Sequence, residues 1–88
     1  MELKQYERGQ LVKSTAGHDK GIVAVIIAVE SEEYVLLADG KTRPVNKPKR
    51  KKVKHIEPIG KTIESELLDA CGGITDGALR NRIKLILK

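Results

Sequence analysis

Apolar positions along this chain fall into short blocks with two different spacings, and the spacing changes after Gly60. Gln10–Ser14 predicts a short strand, and Thr15–Gly21 predicts a turn because its two glycines allow backbone angles closed to other residues. Ile22–Val29 is rich in β-branched residues and apolar on both sides, with Val23, Val25, Ile27 and Val29 facing one way and Ile22, Ala24, Ile26 and Ala28 the other. A strand buried on two sides suits a bent barrel, with one side filling the interior and the smaller side, Ile22 and Ile26 included, covered by another element. Glu30–Glu33 is a polar turn, Tyr34–Ala38 the returning strand, and Asp39-Gly40 a hairpin signal. Pro44 and Pro48 keep the next stretch out of helix interiors and central strands, leaving an edge strand or loop with its cations displayed outward. Val53–Ile56 alternates and closes the sheet, and Pro58 ends it.

Beyond Gly60 the spacing becomes helical. Thr62 is placed to cap a first helix with Glu64 and Glu66 in its opening turn, where the dipole favours acids, and with Ile63, Leu67, Leu68 and Cys71 along one side. Gly72-Gly73 stops it. Thr75 or Asp76 caps a second helix carrying the stripe Leu79, Ile83, Ile86 and Leu87, with Arg80, Arg82, Lys84 and Lys88 toward its C-terminal end. The expected fold is mainly β: a small antiparallel barrel of about five strands within residues 1–59, then a C-terminal helical extension, 60–88, packed on the barrel.

Composition narrows the classes. With 88 residues, 40% of them apolar and 33% charged, the chain is one small globular domain. Its longest apolar run, Ile22–Val29, is eight residues, well short of the roughly 20 that span a bilayer, so no membrane partner is expected. Residues 1–8 lack the layout of a secretion signal, which predicts a cytoplasmic chain. Cys71 is the only cysteine and, with His18 and His55, gives no disulfide and no metal-ligand spacing. No cofactor is expected, and stability rests on aliphatic packing at roughly 1.5–3 kcal/mol per buried Val, Leu or Ile.

Charge changes the picture more. Residues 41–55 hold Lys41, Arg43, Lys47, Lys49, Arg50, Lys51, Lys52 and Lys54 with no acid among them, while the other nine cations are outnumbered by twelve acids. One positive pole on a mildly acidic body is a polyanion footprint. A solvated charge run or a nuclear-import string has the same composition. With no Phe or Trp and only Tyr6 and Tyr34, base stacking on aromatic platforms is disfavoured and phosphate and shape contacts must dominate.

The block Gln10–Ile27, two hydrophobic strands around a Gly17-x-x-x-Gly21 turn, resembles the KOW motif of ribosomal and transcription-elongation proteins. The run Asp39–Pro58, basic and ending Lys-His-Ile-Glu-Pro, is similar to the segment following that motif in certain archaeal and eukaryotic large-subunit ribosomal proteins. Ala24 departs from it, standing where many such motifs carry a third glycine, and the helical extension has no counterpart. The resemblance covers residues 8–59 and implies an SH3-like barrel that binds structured RNA, ribosomal RNA above all. By that resemblance Gly17 and Gly21 shape a loop offering backbone N–H groups to phosphates, with Lys13, His18 and Lys20 beside it. Arg43, Lys47, Lys49, Arg50, Lys51, Lys52, Lys54 and His55 clamp a neighbouring stretch of backbone, Arg bidentately and Lys as point charges.

No enzyme is expected. His18 and Asp19 are neighbours in an exposed turn, and Cys71 lies on an apolar stripe with no third member to complete a nucleophile pair with His55. His55 also suits plain packing at the barrel end, and the two glycines a plain hairpin turn. The last helix packs on its own barrel, pairs with a second copy, or docks on another protein such as a ribosomal one. The expected state is a monomer. The competing readings are a protein–protein adaptor, or a module of a transcription complex, using the same barrel.

Overall fold

The protein is described by a computed structural model covering residues 6–18, 20–64, 68 and 73–87. Strands β1 (Gln10–Ser14), β2 (Val23–Val29), β3 (Tyr34–Ala38), β4 (Lys49–Lys52) and β5 (Ile56–Thr62) form one antiparallel sheet in the order β4-β3-β2-β1-β5. A helix, α1 (Asp76–Leu87), follows. The first three strands lie where the apolar blocks predict them. Against β3, β2 carries an unpaired Ile27 between the pairs Ile26–Leu37 and Ala28–Leu36, and β1 slips against β5 between Gln10 and Val12. Such bulges bend and twist a strand, which lets five short strands roll into a barrel-like sheet.

Two apolar clusters lie on opposite sides of that sheet. The inner one joins Tyr6, Val12, Ala24, Ile26, Val35, Leu37 and Ile56, with Val53 against it. The outer one joins Leu11, Val25 and Ala38 to Ile63, Leu68, Leu79 and Ile83, with Val23, Ile27, Val45 and Ile86 alongside. The sides of β2 are therefore the reverse of the expectation: Ala24 and Ile26 fill the interior, while Val23, Val25 and Ile27 lie under the helix. Alternation with period two cannot choose between sides when both are apolar. The narrow interior takes Ala24, and the space between sheet and helix takes the branched residues.

Four expectations are corrected. Asp39-Gly40 does not close a two-residue hairpin: β4 starts only at Lys49, and Asp39 instead organises the loop, its Oδ1 accepting the N–H groups of Lys41 at 2.9 Å and Arg43 at 2.8 Å. An Asx-type turn competes with the hairpin because the side chain supplies the acceptor. Val53–His55 forms a 3-10 turn rather than strand, carrying the chain from the edge strand β4 to the edge strand β5, with Val53 N–H bonded to the Glu33 carbonyl at 2.8 Å. Pro58 does not end β5, which continues to Thr62; an edge strand tolerates proline because one side of it has no ladder to donate to. Thr62 therefore sits in the strand opposite Gln10 and caps no helix. Most of the first expected helix lies outside the described residues, although Leu68 is helical and buried in the outer cluster.

The second helix forms as its cap predicts, with Ala78 N–H bonded to Thr75 Oγ1 at 3.1 Å. Asp76 Oδ1 accepts Val45 N–H at 2.7 Å, and Arg80 Nη1 donates to the Gly40 carbonyl at 3.0 Å. Gly40, at φ +76°, lies so close to the helix that a Cβ would strike the Asp76 carbonyl. These contacts fix the first turn of α1 on the β3–β4 loop. Among the described residues, no helix is long and apolar enough to cross a membrane.

Two outcomes follow from this packing. Leu79 is fully buried, so Leu79→Ala should cost about 2–5 kcal/mol. Because the outer cluster joins α1 to the sheet, urea unfolding should shift as one transition for both helix and strand signals; a sheet that kept its original midpoint would make the helix an appendage. Tyr6, whose hydroxyl lies 3.5 Å from the Ile56 carbonyl, has its pKa raised by burial and secondarily by the Glu57 carboxylate. The folded state then holds the phenolic proton more tightly than the unfolded chain, so this stabilisation is complete below pH ~10 and is lost as pH rises through the folded value. Tyr6→Phe should flatten the alkaline fall in urea midpoint; parallel alkaline slopes in the two proteins would contradict it.

Candidate nucleic-acid interface

The β1–β2 turn is held by a compact set of bonds. Gly17 and Gly21 both adopt left-handed angles, φ +85° and +90°. Gly21 N–H donates to the Ser14 carbonyl at 2.8 Å and Lys20 N–H to the Gly17 carbonyl at 3.2 Å. These two amides close the turn on itself. What the turn does present is side chains: Lys13, His18 and Lys20 are exposed.

Flanking bonds place the basic segment beside this turn. On one side Thr15 N–H donates to the His55 carbonyl at 2.8 Å; on the other, Lys51 Nζ donates to the Ala16 carbonyl at 3.0 Å. Lys51 is only 7% exposed, so the tract is not displayed outward throughout. Its register explains this: Lys51 lies opposite the buried Val35, on the inner side of the edge strand, whereas Arg50 and Lys52 lie opposite Leu36 and Tyr34 on the outer side. A lysine taken out of water needs acceptors, and the turn carbonyl is one of them. The family resemblance placed Lys51 among the RNA-contacting cations; in the structure its ammonium ties the edge strand β4 to the turn.

The remaining cations are spread over several settings. Arg50 lies 3.9 Å over the Tyr34 ring with its Nε 2.8 Å from Glu30 Oε1, a pairing that leaves its side chain 61% exposed. Lys52 and Lys54 are exposed and border a cleft shared with Glu32 and Glu33, so carboxylates adjoin them. Lys49 and His55 are half-buried, and Lys47 is exposed on the β3–β4 loop. Arg43 is half-buried in that loop, with its Nε enclosed and lacking a hydrogen-bond partner. Among the described residues no group of His, Cys, Asp and Glu is arranged to hold a metal.

The antiparallel order sends the β1–β2 turn and the β3–β4 loop out of the same end of the sheet. There the structure adds residues that the sequence reading did not assign: Lys41, Arg80 and Lys84 line a groove with Val23, Asp39 and Ile83. Arg80 and Lys84 are four apart and so share a helix face. That spacing is visible in the sequence, but nothing there says which loop the helix lies against.

A five-stranded antiparallel, barrel-like sheet whose first hairpin closes on a Gly-x-x-x-Gly turn, with a basic edge strand, is compatible with the KOW-type barrel that the sequence resembles. No protein-family profile matches the chain. It is 36% identical over 62 residues to large ribosomal subunit protein eL14 of Pyrobaculum arsenaticum, covering 70% of this chain and 60% of that protein. It is also 36% identical over 58 residues to the eL14 protein of Staphylothermus marinus, covering 66% and 60%. With the eL14 protein of Desulfurococcus amylolyticus the match is 30% over 79 residues, 80% of this chain and 82% of that protein. The chain belongs to the eL14 family of large ribosomal subunit proteins. It spans 60% of the length of the first two relatives.

The tie between turn and strand is directly testable. Lys51→Met keeps the apolar stem and deletes the donor, which should cost about 1–3 kcal/mol. The amides of Lys20 and Gly21 should exchange faster with solvent deuterium than in the unmutated chain. Unchanged exchange across residues 15–21 would show that the turn holds without it.

Proposed function

We propose that this chain is a non-enzymatic, RNA-binding component of the large ribosomal subunit that grips folded ribosomal RNA through phosphate and shape. The observation that carries the reading is the double anchoring of the glycine turn, to His55 on one side and to the Lys51 ammonium on the other. It sets exposed Lys13, His18, Lys20, Lys52 and Lys54 on elements that are bonded to one another. A polyanion meeting them finds the backbone that carries these charges already fixed, so little of the ordering cost falls on the chain itself. The family relationship supports ribosomal RNA as the polyanion. Phosphate contact positions without reading sequence, and the discrimination between RNA and DNA then falls to the 2′-hydroxyls and the groove shape of the folded RNA.

Exposed Leu85 and Leu87, 64% and 50% accessible at the last turn of α1, suit contact with a neighbouring ribosomal protein. The protein acts as a monomer, in the cytoplasm.

Affinity for large-subunit RNA fragments, measured against salt, tests the reading. With about five phosphate contacts, log K should fall against log salt with a slope of about −3 to −5. Removing three of them in Lys20→Gln/Lys52→Gln/Lys54→Gln should make that slope shallower by about 2–3, evenly across RNA sequences. A salt-independent isotherm, or equal affinity for duplex DNA of the same length, counts against it.

A further inference from the structure

The C-terminal helix is more than a cover for the sheet. Where its first two turns lie against the β3–β4 loop they leave a groove of about 460 Å³, lined by Val23, Asp39, Lys41, Arg80, Ile83 and Lys84. Among the described residues, three cations from two elements line the groove with one carboxylate, and that carboxylate is turned inward: Asp39 is 9% exposed and its Oδ1 already accepts the Lys41 and Arg43 amides. Arg80 is braced by its Nη1 bond to the Gly40 carbonyl, which fixes the guanidinium against the loop. Val23 and Ile83 give the groove apolar lining, so charge pairing there is screened less than on an open surface.

The groove is continuous with the turn. Val23 pairs across the ladder with Lys13, and residues paired in this way share a face of the sheet. Lys13 therefore lies beside Val23 on that face, at the end of the sheet from which the β3–β4 loop also leaves.

We infer that Lys41, Arg80 and Lys84 form a second phosphate-binding site, which takes the backbone of the same RNA as it passes from the β1–β2 turn across Lys13 to α1. The inference rests on the RNA-binding reading above and extends it to the helix, which is thereby a binding element. It takes phosphodiester rather than bases, because the groove lining contains no aromatic ring on which to stack them. An acidic protein segment is the competing occupant.

The test uses the full chain and the same large-subunit RNA fragments. Lys41→Gln/Lys84→Gln leaves Arg80 and its bond to Gly40 in place, and both lysines are exposed, so the urea midpoint should not move. The salt slope should become shallower by about 1.5, two contacts at roughly 0.7–0.9 each. Combined with Lys20→Gln/Lys52→Gln/Lys54→Gln, the losses should add. Lys61→Gln, exposed on β5 away from this end, should change nothing. If the triple variant weakens binding and the groove variant keeps the original slope, the groove does not hold RNA and the inference falls alone. If the unmutated chain binds no RNA, both readings fall.

Discussion

Burial of β2 on both sides is the constraint from which the rest of the molecule follows. Val25 and Ile26 are consecutive, both fully inaccessible, and belong to different clusters. A five-stranded sheet alone can enclose only one of those two side chains. The other must be covered from outside, and at roughly 1.5–3 kcal/mol for each large aliphatic removed from water, leaving Val25, Leu11 and Ile27 uncovered would cost a large part of the stability of so small a domain. The outer layer of α1, Ile63 and Leu68 is therefore a requirement of the β2 sequence.

Placing that layer fixes where the charges go. The helix reaches the sheet only if its first turn meets the β3–β4 loop, which is why Gly40 must lack a Cβ and why Asp39 and Asp76 spend their carboxylates on backbone amides. Both acids are thereby occupied inside the loop, at the same end of the sheet as the glycine turn. Two cations of the tract are also drawn in, Lys51 by its register on β4 as a tie to the turn and Arg43 as a half-buried part of the loop. The positive surface is accordingly smaller than residues 41–55 suggest, but it gains Arg80 and Lys84 from α1.

Local features were legible in the sequence to the extent that one physical effect controlled them. The strands 10–14 and 34–38, the Thr75 cap and the glycine turn each follow from neighbouring residues alone. Errors arose where two effects competed or where a distant contact decided. Asp39-Gly40 carries a hairpin signal, but the Asp39 side chain makes a wider loop and the helix occupies the space beside Gly40. Pro58 reads as a stop only if β5 has neighbours on both sides, and it has one. The sidedness of β2 and the inward turn of Lys51 are register effects, invisible until the partner strand is known. For the candidate site, composition located the charge but not its direction, because alternate residues of an edge strand face opposite ways.

Aromatic residues settle what kind of recognition this surface can support. A reader of single-stranded bases needs an accessible ring, and the chain has two tyrosines. Tyr6 belongs to the inner cluster at 9% exposure, and Tyr34 is covered by the Arg50 guanidinium at 3.9 Å, with Lys52 Nζ 5.9 Å from its centre. Both rings are thus used to hold the protein's own structure, Tyr34 by orienting a cation that Glu30 also grips. That arrangement turns an aromatic side chain into support for a charge, which is the opposite of a stacking platform. On the reading proposed above, a surface built this way distinguishes ligands by the spacing of their phosphates, and that spacing is set by the sheet between the glycine turn and the helix.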